Sequence, residues 1–256
     1  MASLDKHIAQ LIRQYGPYVV GLFIMYKITA SMVIRAYPYG YAWFLNRLAD
    51  RYNRGMWRQK EELFTDLPDI KKQFEKGADV EEKFTILEIG VGSGANFKYY
   101  PEGTSVIAIE PKEQFQTYLE ENADQFPGVK ITEVVWCNAE DMKEVPDESV
   151  SAVVCTLVLC SVLDIDLVLK EVKRVLKSGG RFYFMEHVFQ PERSFTHYTQ
   201  RLLNPLQVKF GDNCHLTRET WKNIDKAGFA EVRYKRFSAY KMPSIIRPHL
   251  MGTATK

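Results

Sequence analysis

The sequence predicts an α/β protein built on a doubly wound, mostly parallel sheet, with antiparallel strands near the C-terminus and a membrane helix at the N-terminus. Three observations support this fold class. From residue 85 onward, short apolar runs alternate with amphipathic segments, as in parallel sheets covered by helices. A glycine-rich turn in ILEIGVGSGANF, residues 86–97, follows the first of these runs. The 256 residues, 46% of them hydrophobic, suffice for one such domain and an appendage.

The first element is an apolar segment, Tyr18 to Ile34, interrupted only by Lys27. As a helix it would measure about 25 Å, slightly less than the ~30 Å hydrocarbon core of a bilayer. Lys27 at the centre of a spanning helix would cost about 2.5 to 3.5 kcal/mol, which a shallow insertion largely avoids. A cleavable signal peptide and a buried soluble helix are the alternatives. Membrane attachment is favoured because glycines and prolines at positions 16, 17, 38 and 40 bracket the segment as an independent unit.

Charge is distributed unevenly along the chain. Residues 1–60 contain nine Lys or Arg and two acidic residues, whereas the rest of the chain carries 25 basic and 30 acidic residues. Because the basic residues are attached to the most hydrophobic part of the chain, an anionic lipid surface is the expected partner and no nucleic acid is expected. If the segment spans, Arg35 and the arginines that follow it place the large domain in the cytosol.

The second element, residues 41–64, has the pattern of an amphipathic helix that either packs on the domain or lies at the headgroup level. The chain is therefore divided into a hydrophobic membrane anchor (1–40), a helical cap segment (41–84) and an α/β domain (85–256). A charged connection is expected around Lys71 to Lys83, ahead of the first strand.

The strands of the domain are predicted from apolar runs between turn signals. They are TILEI (85–89), SVIAI (105–109), KITEVV (130–135), SAVVCT (151–156) and RFYFME (181–186), with two late strands at 231–237 and 249–255. One helix is expected over 166–177, ended by Gly179 and Gly180, and another from an N-cap at Thr217 to Ala227, ended by Gly228.

The glycine turn leaves two cofactors open. Gly90, Gly92 and Ala95 fit a dinucleotide fingerprint, with Glu110 as the ribose carboxylate. Glu88 with glycines at 90, 92 and 94 equally fits a turn for S-adenosylmethionine, which uses the same ribose carboxylate. No tyrosine in the chain is followed four residues later by lysine, which argues against a short-chain dehydrogenase.

Several segments together resemble one family. The segments are LEIGVGSGANF, NAEDM, CTLVLCSV, LKSGGRFYFMEHV, CHLTRETW and RPHLMGTATK. They resemble the membrane-associated thiol S-methyltransferases of the methyltransferase-like group, over nearly the whole chain. The resemblance implies a Rossmann-like class I methyltransferase fold in residues 85–256. It also implies that S-adenosylmethionine methylates small lipophilic thiols, or sulfide, at the endoplasmic reticulum membrane and lipid droplets.

The expected cofactor-binding residues lie after successive strands. They are Glu88, Gly90, Gly92, Gly94, Glu110, Pro111, Asn138, Ala139, Glu140, Thr156 and Leu157. Asn138 departs from the aspartate that is usual at the start of the adenine-contacting segment, so Glu140 is the firmer expectation there.

Methylation of a thiol requires an ionised sulfur, so one base near the strand ends is expected. His187, at the end of the fifth strand, is the first candidate, and His215 is the second. Their structural alternative is a histidine bonded to a neighbouring loop. Cys155 and Cys160 are interpreted as core residues, and cysteines without CxxC spacing predict no metal site. The aromatic segment 188–214 is expected to form the acceptor pocket.

Two other functions remain open at this point. The same fold and cofactor serve O-, N- or C-methylation of a lipid or quinone, because no residue reads sulfur directly. A non-catalytic membrane or lipid-droplet protein is disfavoured by the intact glycine turn and its two carboxylates.

Overall fold

The computed structural model describes residues 2–77 and 83–256, with the side chains of residues 2–12 and 17 left out of the description. The chain divides into two compact units, one ending at Arg47 and one comprising Leu48–Lys256. Part of the predicted connection, residues 78–82, lies outside the described residues, and the part before it is helical.

Helix α1 (Ala2–Gly55) begins the chain. Its segment Arg13–Gly55 is long and apolar enough to cross a membrane. The most apolar stretch of this segment has a mean hydropathy of 1.6, and none of that stretch is buried. The buried-helix alternative is therefore not what the structure shows. The helix also continues through Pro38 and Gly40, where a boundary was expected. An interior proline removes one backbone hydrogen bond but keeps a helical φ, so apolar residues on both sides can carry the helix across it.

The second unit contains the remaining helices and all the strands that the described residues form. The helices are α2 (Trp57–Leu63), α3 (Leu67–Gly77), α4 (Gln116–Ala123), α5 (Ile165–Val175), α6 (Phe195–Phe210) and α7 (Thr220–Lys226). The strands are β1 (Thr85–Ile89), β2 (Thr104–Ile109), β3 (Val129–Val135), β4 (Val150–Thr156), β5 (Leu176–His187), β6 (Glu231–Ser238) and β7 (Pro248–Thr255). The seven predicted strands are thus confirmed.

The strands form one sheet in the order β3-β2-β1-β4-β5-β7-β6. Strands β1 to β5 pair in parallel, whereas β7 runs antiparallel between β5 and β6. The strand order reverses between β1 and β4, and in open parallel sheets ligands bind beyond the carboxyl ends of the strands at such a reversal. The predicted fold class, a doubly wound sheet with antiparallel C-terminal strands, is confirmed.

Apolar side chains alternate between the two faces of the sheet and form two cores. On β1, Leu87 and Ile89 face the core that includes α5 and α7, whereas Ile86 faces the other. That second core also contains Tyr52 from the last turn of α1 and Met56, which directly follows α1, together with residues of α2 and α3. The end of α1 therefore belongs to the same folded unit as the sheet.

Two predicted helix ends are wrong. Helix α5 ends at Val175, not at Lys177, because Leu176 already adopts an extended conformation and pairs with Val150 of β4. Helix α7 begins at Thr220 with Glu219 in the N-cap position, so Thr217 does not cap it. The carbonyl oxygen of Arg218 accepts the Phe189 N–H, so it is bonded outside the helix, which begins after it.

Candidate active site

Glycine is needed at the three positions after β1 for different structural reasons. All three have a positive φ, between 52° and 72°. A Cβ atom at Gly90 would lie 2.4 Å from the Val158 side chain, and one at Gly94 would lie 2.6 Å from the Phe97 ring. A Cβ at Gly92 would meet no atom closer than 4.0 Å. Gly90 and Gly94 therefore serve internal packing, and Gly92 leaves backbone open to a ligand.

Glu110 lies directly after β2 and beside this open backbone. Its carboxylate accepts the N–H of Gly92 at 3.0 Å and that of Lys112 at 3.2 Å. Burial raises the pKa of Glu110, while those two bonds act in the opposite direction. A carboxylate has about four lone-pair sites, so two remain for the hydroxyl groups of a ribose. Pro111, the next residue, is exposed at the same edge.

Glu88 is buried on β1 and is bonded within the protein. Its two oxygens accept the Asn96 side-chain amide at 2.8 Å and the Tyr100 hydroxyl at 2.7 Å. The side-chain oxygen of Asn96 in turn accepts a hydrogen bond from the ammonium of Lys60 at 2.6 Å, and Lys60 is itself buried. Burial raises the pKa of Glu88 to about 7 and lowers that of Lys60 to about 7. Helix α2 is thereby connected to the glycine turn through Asn96.

The segment after β3 is fixed by Glu140. Its carboxylate accepts the Leu163 N–H at 2.5 Å and the Asp164 N–H at 3.3 Å, which connects it to the loop before α5. Ala139 is buried, and Asn138 is exposed. Glu140 therefore holds a loop, whereas Asn138 and Asp141 are exposed polar side chains of this segment.

Two further expected residues follow β4. The Thr156 hydroxyl accepts the second N–H of Asn96 at 3.1 Å, which links the ends of β1 and β4. Leu157 has a φ of +60°, a conformation that non-glycine residues adopt rarely and at a cost of about 1 to 3 kcal/mol. Such strain persists where the surroundings enforce it, and here it turns the chain at the reversal of strand order.

Glu186 lies at the end of β5 beside His187, at the edge where ligands are expected, although the sequence assigned it no role of its own. Its buried carboxylate accepts the N–H groups of Val158 at 2.9 Å, Leu159 at 3.0 Å and Cys160 at 3.3 Å. Burial raises its pKa to about 7 against the effect of these bonds. Glu186 thus fixes the backbone of the loop that follows β4.

Two of the four cysteines, far apart in sequence, lie close together in space. The Nε2 atom of His187 lies 3.0 Å from the Cys214 sulfur, and that sulfur lies 3.8 Å from the Cys160 sulfur. Burial opposes the charged form of His187, but the contact with Cys214 outweighs it and raises the pKa of His187. The sulfur contact with Cys160 and the contact with His187 lower the pKa of Cys214. We call these three residues the Cys-His cluster.

The second histidine candidate borders this cluster. The backbone N–H of His215 donates to the Cys160 carbonyl at 2.8 Å, and its ring is partly exposed. Burial lowers the pKa of its imidazole. His215 is therefore placed near the cluster by its backbone, whereas His187 belongs to it by its ring.

The expected acceptor segment 188–214 is mostly helical. Helix α6 carries five large apolar side chains that are between 56% and 79% exposed, namely Phe195, Tyr198, Leu202, Leu206 and Phe210. A cavity of about 400 Å³ lies beside the beginning of α6. Its lining comes from the segment 188–196 and from β6 and β7, and includes Phe189, Phe237 and His249. This cavity lies beside the end of β5 and the beginning of β7.

Several residues at this edge escaped the sequence analysis. Lys60 reads as an ordinary solvated residue of a basic helix, and no sequence signal marks it as buried. Asn96 stands inside the quoted turn, where a polar residue among glycines and apolar residues was a usable signal. Arg218, which donates to the carbonyls of Leu159 and Val162, lies far from them in sequence.

The methyltransferase-domain family model matches residues 87–184 of the chain. Thiol S-methyltransferase TMT1A of Homo sapiens is 38% identical over 216 residues, which cover 84% of this chain and 86% of that protein. Thiol S-methyltransferase TMT1B of Rattus norvegicus is 38% identical over 220 residues, with the same coverage of each chain. The solved structure of geranyl diphosphate methyltransferase in complex with SAM has a TM-score of 0.55 at 16% identity and covers 77% of this chain and 84% of that one.

The fold and the strand-end site define an S-adenosylmethionine-dependent methyltransferase of class I. The open backbone at Gly92 beside Glu110 fits that cofactor, which needs close backbone approach and a ribose carboxylate. Because two relatives exceed a third in identity over most of both chains, the family can be stated. The chain belongs to the thiol S-methyltransferase family.

Proposed function

We propose that this chain transfers the methyl group of S-adenosylmethionine to the sulfur of small lipophilic thiols, or of sulfide, at a membrane surface. The observation that carries the proposal is the Cys-His cluster at the carboxyl edge of the sheet, in a chain whose relatives are named thiol S-methyltransferases. The cofactor supplies an electrophilic methyl group on a sulfonium. The residues of the chain must hold it, exclude water and present an ionised sulfur.

The proposed cofactor contacts are assigned to those expected residues that have unused hydrogen-bonding sites or open backbone. Glu110 keeps two lone-pair sites for the ribose, and Gly92 presents open backbone. Asn138 is an exposed polar side chain in the segment that follows β3, which supports an adenine contact. Glu88 and Glu140 are bonded internally, so we assign them to positioning the turn and the loop, together with the glycines at 90 and 94.

We propose that His187 takes part in removing the acceptor proton. Its ring belongs to the Cys-His cluster at the end of β5, and its Nδ1 atom is buried without a hydrogen-bond partner among the described residues. A polar atom of that kind costs free energy unless something bonds to it, which supports a role toward a bound group. His215 remains the second candidate because its backbone is bonded to Cys160 and its side chain is more exposed.

The membrane proposal is supported by exposed apolar side chains in both units. Helix α1 is apolar and unburied over its most hydrophobic stretch. The exposed face of α6 combines its five apolar side chains with Arg201 and Lys209, and the helix contains no acidic residue. Such a composition suits the headgroup region of an anionic leaflet. We propose the endoplasmic reticulum membrane and lipid droplets as the sites, with the sheet domain in the cytosol.

The acceptor class is tested with a panel of thiols, catechols, amines and quinones and labelled S-adenosylmethionine. Methylated thiols are expected with the wild-type chain and not with Glu110→Ala as the matched inactive control. Transfer to a quinone or an amine, with none to thiols, would establish the alternative of O-, N- or C-methylation. No transfer to any acceptor, with intact cofactor binding, would favour a non-catalytic membrane protein.

Membrane attachment is tested by deleting residues 1–34 and measuring sedimentation with vesicles. Release into the supernatant is expected, because the deleted segment contains the most apolar stretch of α1. If binding persists, the double substitution Leu202→Glu and Leu206→Glu reports whether the α6 face holds the vesicle. Persistence in both variants would contradict the proposed attachment and direct attention to residues 41–64.

A further inference from the structure

The Cys-His cluster has the composition of a metal site. It offers two sulfur atoms and one imidazole nitrogen, and these atoms all lie within 4.8 Å of one another. Thiolate and imidazole together are the ligands of tetrahedral zinc sites, and a set of three protein ligands with an open fourth position is the catalytic type. We propose that Cys160, His187 and Cys214 bind one Zn²⁺ ion and that the fourth position accepts the sulfur of the acceptor thiol.

The distances in the cluster suit a tetrahedral cation. Zinc–sulfur bonds of about 2.3 Å place two ligand sulfurs about 3.8 Å apart, and the Cys160 and Cys214 sulfurs are 3.8 Å apart. A sulfur and a nitrogen on the same ion lie about 3.6 Å apart, whereas His187 Nε2 and the Cys214 sulfur are 3.0 Å apart. The imidazole ring must therefore move by about half an ångström to bind.

The three ligands are held by separate, well-anchored backbone segments. Cys160 lies in the loop whose N–H groups are bonded to Glu186, and its carbonyl accepts the His215 N–H at 2.8 Å. Asn213, with a φ of 58°, donates its side-chain amide to the Ser161 carbonyl at 2.7 Å. These bonds connect the segment of Cys214 to that of Cys160 independently of the sulfurs. The ligand positions are thus set by the fold before any cation binds.

Burial and charge also fit a cation of charge two. The ligands are 2%, 5% and 9% exposed for Cys160, His187 and Cys214. Two thiolates balance the charge of the cation, which removes the cost of burying it alone. The Cys155 thiol donates to Glu186 at 3.6 Å and lies outside the cluster. Cys155 is therefore the matched cysteine that should not bind the cation.

The open position allows the cation to bind the acceptor sulfur, and this role of the cation rests on the proposed function. When the acceptor thiol binds, its S–H bond breaks, its electron pair forms the sulfur–zinc bond, and its proton passes to solvent. A zinc ion deprotonates a coordinating thiol at neutral pH, which a histidine does only partly. In the loaded protein His187 therefore takes part in removing the acceptor proton as a ligand of the cation, and the cation ionises the thiol.

The experiment uses the full chain purified in detergent under reducing conditions. After removal of metal with a chelator, Zn²⁺ or Co²⁺ is added back, and bound metal is measured together with the thiolate-to-cobalt charge-transfer absorption. One ion per chain is expected. Cys160→Ser, Cys214→Ser and His187→Asn should each weaken binding by more than the about 10- to 100-fold that loss of an outer-shell partner costs. Cys155→Ser should bind as the wild type does.

Each outcome decides between the two proposals. Binding of S-adenosylhomocysteine and circular dichroism report whether a variant has folded, so a misfolded variant is replaced by the alanine substitution at the same position. A folded, reduced chain that binds no metal, or binds it equally in all four variants, overturns the zinc site. Thiol methylation that continues in the metal-free chain overturns the role of the open position and leaves the proposed function intact. One bound ion without thiol methylation overturns the proposed function instead.

Discussion

The carboxyl edge of the sheet has a cofactor half at the ends of β1 and β2 and an acceptor half around the Cys-His cluster. The polar groups of the two halves are bonded in different ways. In the cofactor half, Glu88 and Glu110 are bonded to residues within about twenty positions in sequence, such as Asn96 and Gly92. In the acceptor half, the cluster joins residues 160, 187 and 214, and two buried histidine atoms, Nδ1 of His187 and Nε2 of His249, have no hydrogen-bond partner among the described residues. The carboxylates of the cofactor half are held by bonds to nearby residues, whereas the acceptor half contains buried ring nitrogens that have no partner among the described residues.

This difference suits the ligands of the two halves. A cofactor of fixed shape is bound best by a preorganised site, because little ordering remains to be done on binding. Acceptors of variable shape share one atom, the sulfur, so the acceptor half needs one well-defined group and an apolar space around it. The predictions that follow test this contrast, beginning with the largest expected effect.

Glu110→Ala is expected to weaken cofactor binding most. It removes two charge-assisted hydrogen bonds to the ribose, each worth about 1.5 to 3 kcal/mol, which corresponds to roughly a 10² to 10⁴-fold loss of affinity for S-adenosylhomocysteine. Calorimetry measures the loss, and Glu113→Ala, an exposed carboxylate on the next turn, is the control. Unchanged affinity, or measurable binding of NAD to the wild type, would contradict the assignment.

His187→Ala is expected to lower kcat/KM for ordinary thiols by roughly 10² to 10⁴ while leaving cofactor affinity nearly unchanged. The loss should shrink for thiols of low pKa, because these arrive ionised and need neither a base nor a cation. Steady-state kinetics over a series of thiols gives the measurement, with His215→Ala as the comparison. Equal impairment on all thiols would assign His187 a structural role and erase the contrast between the two halves.

Lys60→Met is expected to destabilise the cofactor half. The substitution leaves the buried Asn96 oxygen without its donor, at a cost of about 1 to 3 kcal/mol in the free energy of unfolding. Denaturant unfolding measures this cost, and Lys98→Met, on an exposed neighbouring position, is the control. A gain in stability would show that the burial cost of the ammonium exceeds its hydrogen bonds.

The smallest expected effect is a change of slope with pH. Burial raises the folded pKa of Glu88 to about 7, above its unfolded value of about 4.3, so the folded chain holds more protons between these values. Stability present below about pH 4.3 is therefore lost as the pH rises toward 7. Glu88→Gln should flatten the dependence of the melting temperature in this window, and the exposed Glu102→Gln should not. A wild-type melting temperature that rises from pH 5 to 7 would argue against it.

Helix boundaries show where sequence signals fail. Asp164 caps α5 through bonds to the N–H groups of Asp166 and Leu167, a local signal of the expected kind. The start of α7 at Thr220, by contrast, is set by the contacts of Arg218 with the loop after β4. A cap motif states where a helix is able to begin, and tertiary contacts decide whether it begins there.

The sequence by itself determined the seven strands, the glycine turn and the position of Glu110 at the end of the second strand. These features depend on local hydrophobic periodicity and on residues close together in the chain, so a single sequence displays them. Only the tertiary structure decided that Lys60 is buried against Asn96, and that Cys160 and Cys214 meet at His187. Those contacts join segments separated by 27 to 54 residues or by a change of layer. Their geometry follows from how helices and loops pack on the sheet, and no spacing in the sequence encodes that packing.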